Sequence, residues 1–162
     1  MMDATNPPEE VSSGKNIAYE NFPVGSWLLP ARLRPHIATF YQFARAADDI
    51  ADSAELNTEE KISWLEQYEA VIKGELAGEN APLKARDMAV SLAETNTTPQ
   101  HCLDLLAAFK QDTIKLRYQN WQELIHYCEL SAAPVGRFLL DLHGGSKDGY
   151  GASDALCVAL QI

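Results

Sequence analysis

With 162 residues, 46% of them hydrophobic and 22% charged, the chain has the material for one globular domain with a real core, and disorder over most of its length is excluded. Its formal charge of -10 argues against a nucleic-acid binder, which needs basic surface to displace counterions from phosphates. An acidic protein still takes an anionic substrate where a divalent cation lies between them.

Residues 1–15 are polar, carry Pro7-Pro8-Glu9-Glu10 and read as a flexible tail. This start has neither a basic segment nor an apolar one of the kind a secretory signal needs, and no later apolar run approaches membrane-spanning length. The expectation is a cytoplasmic protein, with peripheral contact to a membrane left open. From Asn16 onward the punctuation is helical. Pro35 opens a run to Asp52, Thr58-Glu59-Glu60-Lys61 starts another to about Leu76, and Pro82 precedes a third to about Thr95. Thr98-Pro99 starts a fourth, Asn120 with Glu123 caps a long fifth, and Ser153 is placed to cap a last one. No stretch alternates as strands do, so the predicted class is all-α, with residues 16–162 in one domain. Cys102, Cys128 and Cys157 are odd in number, lack CxxC spacing and read as reduced structural thiols.

The segment Tyr41-Gln42-Phe43-Ala44-Arg45-Ala46-Ala47-Asp48-Asp49-Ile50-Ala51-Asp52 carries the chemistry. At about 100° per residue, Tyr41, Arg45, Asp48 and Asp52 share a wedge of roughly 60° on one helix face, with Asp49 just outside it. Phe40, Phe43, Ala44, Ala46, Ala47, Ile50 and Ala51 occupy most of the remaining circumference, which predicts a largely buried helix whose acids face an interior cavity. Carboxylates held together at low dielectric repel unless a cation lies between them, and Mg²⁺, which prefers one or two carboxylates plus water and phosphate oxygens, suits the spacing. Arg45 on the same face suits a phosphate. The plainer alternative is an acidic last turn in which Arg45 is an internal salt-bridge partner. Three acids near a helix C-terminus oppose the helix dipole, which weighs against that alternative.

A second cluster runs from Gln111-Asp112 through Arg117-Tyr118 to Tyr127-Cys128-Glu129-Leu130-Ser131-Ala132-Ala133-Pro134-Val135-Gly136. Its small residues and Pro134 leave a helix face where something can lie close: either a long apolar ligand, or another helix with the Tyr127 hydroxyl bonded inside the core. Side-chain physics alone favours the second.

At these positions the chain resembles the trans-isoprenoid head-to-head condensing synthases, the squalene/phytoene synthase family. The family pattern Tyr-x-x-x-Arg-x-x-Asp-x-x-x-Asp is matched by Tyr41, Arg45, Asp48 and Asp52, and Asp-x-x-x-x-Arg-Tyr by Asp112, Arg117 and Tyr118. Tyr-Cys-x-x-x-Ala-x-x-Val-Gly is matched by Tyr127, Cys128, Ala132, Val135 and Gly136, the upstream Asn-Phe by Asn21-Phe22, and the Gln that opens the family's second Asp-rich helix by Gln161. Within the family, Asn21-Phe22-Pro23-Val24-Gly25-Ser26 and Phe43-Ala44-Arg45-Ala46-Ala47-Asp48-Asp49 look most similar to the bacterial hydroxysqualene synthase branch. The resemblance implies an isoprenoid synthase-type helical bundle that stops before the second Asp-rich helix, and a fragment inactive alone. It further implies Mg²⁺ on Asp48, Asp49 and Asp52, catalysis by Asp48, Asp52, Tyr127 and Arg45, and a prenyl diphosphate such as presqualene diphosphate held by Phe22, Tyr41, Arg45, Tyr127, Ala132 and Gln161. Synthesis of presqualene diphosphate or phytoene, and a non-catalytic relative of the same fold, are the competing readings.

Overall fold

The computed structural model describes residues 29–115 and 117–162. Among these the chain forms seven α-helices and no strand: α1 (Arg34–Asp52), α2 (Thr58–Ile72), α3 (Leu83–Thr95), α4 (Gln100–Asp112), α5 (Trp121–Ser131), α6 (Ala133–Leu142) and α7 (Tyr150–Gln161), with a 3-10 turn at Lys147–Gly149 leading into the last. The all-α expectation holds. No helix of the described residues is long and apolar enough to cross a membrane.

Local chemistry sets most of the boundaries. Pro35 lies in the first turn of α1, where its missing N–H leaves no bond unmade. α2 is opened by Asn57, whose side chain accepts from the Glu60 N–H at 3.0 Å while the Glu60 carboxylate accepts from the Asn57 N–H at 2.9 Å. This reciprocal pair satisfies two donors that a helix start otherwise leaves bare. Asn120 does the same for α5, accepting from the Glu123 N–H at 3.0 Å.

Three boundaries depart from the expectation. α2 stops at Ile72 rather than near Leu76, because Gly74 turns left-handed at φ 77°; its N–H donates to Val71 O at 3.0 Å and that of Glu75 to Ala70 O at 2.8 Å. The long helix expected from Asn120 breaks at Ala132 into α5 and α6, where Pro134 supplies no N–H to continue the ladder. α7 begins at Tyr150 and not at Ser153. Ser146 caps the preceding 3-10 turn instead, its hydroxyl accepting from the Asp148 N–H at 3.2 Å, and that turn feeds the helix.

α1 and α4 form the spine. α1 packs on α2, α3 and α4, and α4 packs in addition on α2, α5 and α6. Phe43 and Ala47 of α1, Leu65 and Tyr68 of α2, Ala85 and Met88 of α3, and Cys102 of α4 are fully enclosed. The Phe40 ring stacks on Phe138 of α6 with centroids 4.0 Å apart and planes within 7°, tying the two ends of the described chain together. All three cysteines are free; Cys102 and Cys128 are buried, and burial pushes both thiols up, so they behave as small apolar groups.

α7 is attached differently. It has no buried residue, and Leu156, Leu160 and Ile162 are exposed. Besides a hydrogen bond from Tyr150 to Asp141, two devices hold it to α6. A Cβ at Gly136 would stand 2.2 Å from Ser153 Oγ and 2.7 Å from Cys157 Sγ, so the helices cross where one side chain is missing. Beside that crossing, Arg137 donates to both oxygens of Asp154, at 2.8 and 2.5 Å.

Candidate active site

The last two turns of α1 present the acids. Arg45 grips two of them from its own helix: Nη1 lies 3.4 Å from Asp48 Oδ2 and Nη2 3.0 Å from Asp49 Oδ1. Tyr41, one turn earlier, is half-buried against the core. Asp52 is exposed and the Asp48 side chain is 34% exposed, so among the described residues this face does not look into a closed cavity. The departure has a simple cause. α2, α3 and α4, with Phe138 of α6 on Phe40, pack on the side of α1 that buries Ile37, Phe40, Phe43, Ala47 and Ile50, while Ala44, Ala46 and Asp48 stay half open.

α4 ends beside this face. Tyr127 of α5 donates its hydroxyl to Asp112 Oδ2 at 2.6 Å, and Tyr118 reaches Oδ1 at 3.5 Å; the two rings sit with centroids 5.1 Å apart. Burial raises the Asp112 carboxyl above its ordinary value, the two tyrosine bonds work against that rise, and the negative charge of Asp52 adds to it. The same pairing works in reverse on the phenols. Burial, then the Asp112 charge and hydrogen bond, push Tyr118 up to about 12, and burial followed by the Asp112 bond raises Tyr127 too, so both remain protonated donors at neutral pH. Lys115 lies 5.4 Å over the Tyr118 ring and 2.9 Å from Glu123 Oε2.

The opposite end of α4 carries a second aspartate between two donors. His101 Nε2 lies 2.8 Å from Asp141 Oδ2, and Tyr150 donates to Oδ1 at 2.6 Å. His101 is almost wholly buried, and its Nδ1 has no partner among the described atoms. Burial acts to raise the Asp141 carboxyl, but the Tyr150 and His101 bonds outweigh it and the net shift is downward. This cluster joins α4, α6 and α7.

The expected site residues therefore divide. Arg45, Asp48 and Asp49 form one interacting group on α1, with Tyr41 a turn away and Asp52 coupled through charge to Asp112, which binds Tyr127. Ala132 is buried at the α5–α6 junction, and Gln161 is exposed at the end of α7, which packs on α5 and α6. Phe22 lies outside the described residues. Asp112 was legible as a member of a motif but not as a site residue, since its partner Tyr127 is 15 residues away and no local pattern joins them.

Among the described residues no group of three or more His, Cys, Asp or Glu side chains is arranged to hold a metal, so Asp48, Asp49 and Asp52 do not converge as a trio. The donor chemistry nevertheless fits Mg²⁺. The ion needs one or two carboxylates and completes its shell with water and phosphate oxygens, and Asp48 and Asp52 are one turn apart on a half-open face.

Comparison with known proteins agrees with this architecture. A sequence model of the squalene/phytoene synthase family matches residues 17–162. A hydroxysqualene synthase of Rhodopseudomonas palustris is 50% identical over 153 residues, covering 94% of this chain and 51% of its own length. One from Sinorhizobium fredii is 48% identical, covering 88% and 48%. A crystal structure of squalene synthase HpnC from Alicyclobacillus acidocaldarius superposes with a TM-score of 0.72 at 34% identity, over 88% of this chain and 54% of that one. The chain belongs to the squalene/phytoene synthase family. It spans about half the length of the curated relatives it matches.

Proposed function

We propose that this chain supplies the first half of a hydroxysqualene synthase, which converts presqualene diphosphate to hydroxysqualene and releases diphosphate. The observation that carries the reading is the 50% identity to the Rhodopseudomonas palustris enzyme over 94% of the chain, against 28% for a phytoene synthase of Arthrospira platensis. The family match beginning at residue 17 supports a single domain over 16–162, with residues 1–15 outside it.

The assigned roles follow from chemistry. Arg45, with Tyr41 beside it, neutralises the diphosphate as its bond to carbon breaks. The ion pairs with Asp48 and Asp49 keep the Arg45 guanidinium on the same face as the acids. Asp48 and Asp52, with Asp49 nearby, are the residues to hold Mg²⁺, which when bound screens the charge of the diphosphate. Tyr127 orients the water that captures the rearranged cation. Phe22 and Ala132 are assigned to the hydrocarbon side of the substrate, and Gln161, the last residue of α7, to substrate binding as well. The substrate is a lipid, so peripheral contact with a membrane surface goes with this reading, and nucleic acid does not.

The competing non-catalytic reading draws on the Arg45 ion pairs, which are what a purely structural acidic turn would show. To decide, the full product of the gene encoding this chain is incubated with presqualene diphosphate, with and without Mg²⁺, and the extract analysed by gas chromatography and mass spectrometry. Hydroxysqualene formed with Mg²⁺ and abolished by Asp48→Ala supports the proposal. Untouched substrate rejects it.

A further inference from the structure

We propose that the connection between α4 and α5 is the surface that seats the protein on an anionic phospholipid bilayer, with Ile114 and Trp121 entering the interface and Arg117 meeting headgroup phosphates. The inference rests on the hydroxysqualene synthase reading, whose substrate is a lipid, and names the face that meets the membrane.

Three stretches of the described chain expose large apolar side chains, and they differ in kind. On α7, Leu156 and Leu160 continue with Ala152, Ala155 and Ala159 into a helical stripe free of charge, the composition that another helix covers. On α3, Leu83 and Val90 share a face with the exposed Asp87, an anion that an anionic surface repels. The α4–α5 connection is built otherwise. Ile114, 72% exposed, and Trp121, 61% exposed, stand at its two ends, and the exposed Arg117 lies between them in sequence.

This combination suits a bilayer surface better than a protein partner. Lys115 is held by Glu123 at 2.9 Å, whereas Arg117 has no carboxylate partner among the described residues. A guanidinium without a carboxylate is costly to bury against protein; at a bilayer it faces phosphates while its apolar neighbours go deeper. Tryptophan settles at the same boundary, because its ring is apolar and its N–H still needs water. The chain carries a formal charge of -10, so an anionic bilayer repels most of its surface, and an unpaired cation beside a tryptophan selects the face that approaches. The connection is also pinned. Glu123 Oε2 accepts from the Gln119 N–H and from Lys115 Nζ, both at 2.9 Å, and Asn120 caps α5, so little order has to be gained on binding. It follows directly on Asp112, bonded to Tyr127, and so brings the candidate active site close to the lipid phase.

The test sediments the full product of the gene encoding this chain with vesicles of phosphatidylglycerol and phosphatidylcholine, or of phosphatidylcholine alone, in about 0.1 M salt. The wild type should bind the anionic vesicles and leave them in about 1 M salt. Arg117→Gln should weaken binding about fivefold and remove most of its salt dependence. Trp121→Ser should weaken it about tenfold with the salt dependence kept, and Val90→Ser should change nothing. Trp121→Ser should also match the wild type on presqualene diphosphate dispersed in detergent, but fall behind when the same substrate is carried in vesicles. A wild type that stays in the supernatant, equal binding to both kinds of vesicle, or wild-type binding by both Arg117→Gln and Trp121→Ser overturns the proposal, while turnover in detergent keeps the parent reading. A wild type that ignores vesicles but forms an assembly broken by Trp121→Ser gives the surface to a protein and overturns it equally. Detergent-dispersed substrate left intact by the wild type overturns the parent reading, and sedimentation still reports on the surface.

Discussion

The two ends of α4 carry nearly the same construction with opposite electrostatic outcomes. Asp112 and Asp141 each accept a tyrosine hydroxyl at 2.6 Å and a second donor on the other oxygen, and burial is the largest influence on both. The carboxyl of Asp141 is nevertheless pulled down and that of Asp112 pushed up. The second bond and the neighbouring charges differ: His101 lies 2.8 Å from Asp141, whereas Tyr118 stands 3.5 Å from Asp112. His101 and Lys147 lend positive charge to Asp141, whereas Asp52 lends negative charge to Asp112. The shared 2.6 Å tyrosine bond therefore does not set the direction of the shift; the closeness of the second donor and the sign of the nearby charge do.

Breaking the contact between α1, which carries Asp52, and α6, which carries Asp141, gives the largest expected effect. Phe138→Ala removes the ring stacked on Phe40 and should lower stability by about 3–5 kcal/mol, read from the urea midpoint at constant m-value. An unchanged midpoint would mean that α1 and α6 stand independently. Asp141→Ala leaves the buried His101 ring and the Tyr150 hydroxyl without their acceptor, at an expected cost of about 2–3 kcal/mol. Gly136→Ala overpacks the α6–α7 crossing and should cost about 1–2 kcal/mol, part of it restored by adding Ser153→Gly; a neutral Gly136→Ala would show that the helices separate freely.

The pH responses sharpen the comparison further. The Asp141 carboxyl is lower in the folded chain than in the unfolded one, so its stabilisation is complete above the unfolded value of about 4 and fades as pH falls through the folded value. The stability gap between wild type and Asp141→Asn should therefore close on acidification from pH 7 to pH 3. Asp112 has the opposite sign: its raised folded value favours the fold at low pH, and that contribution is lost as pH rises through it. Asp112→Asn at pH 7 is accordingly the smallest change, within about 0.5 kcal/mol of wild type or slightly stabilising, and a clear loss of melting temperature would reverse the sign assigned here.

Features whose cause is local were readable in the sequence. Pro35, Pro82, Pro99 and the Asn120–Glu123 pair mark helix starts by chemistry within one turn, and the shared face of Tyr41, Arg45, Asp48 and Asp52 follows from helical period alone. What escaped depended on distant partners. His101 meets Asp141 across 40 residues and Asp112 meets Tyr127 across 15, and neither pairing has a periodic signature. Ser153 looked like a cap because its type suits one, but its small size serves the contact with Gly136 instead. Openness of the acidic face was also beyond a one-helix argument, since it depends on which neighbours cover α1.

The shallow attachment of α7 has a consequence for native-state fluctuations. A helix with no enclosed side chain, fastened by one bidentate ion pair, one glycine crossing and the Tyr150–Asp141 bond, opens at far lower free energy than the spine. Its backbone amides should exchange with deuterium well before those of α1 and α4. Because Tyr150 travels with it, each opening also strips Asp141 of a donor and lets water reach His101, so hydration of the buried end of α4 is gated by the breathing of the helix beside it.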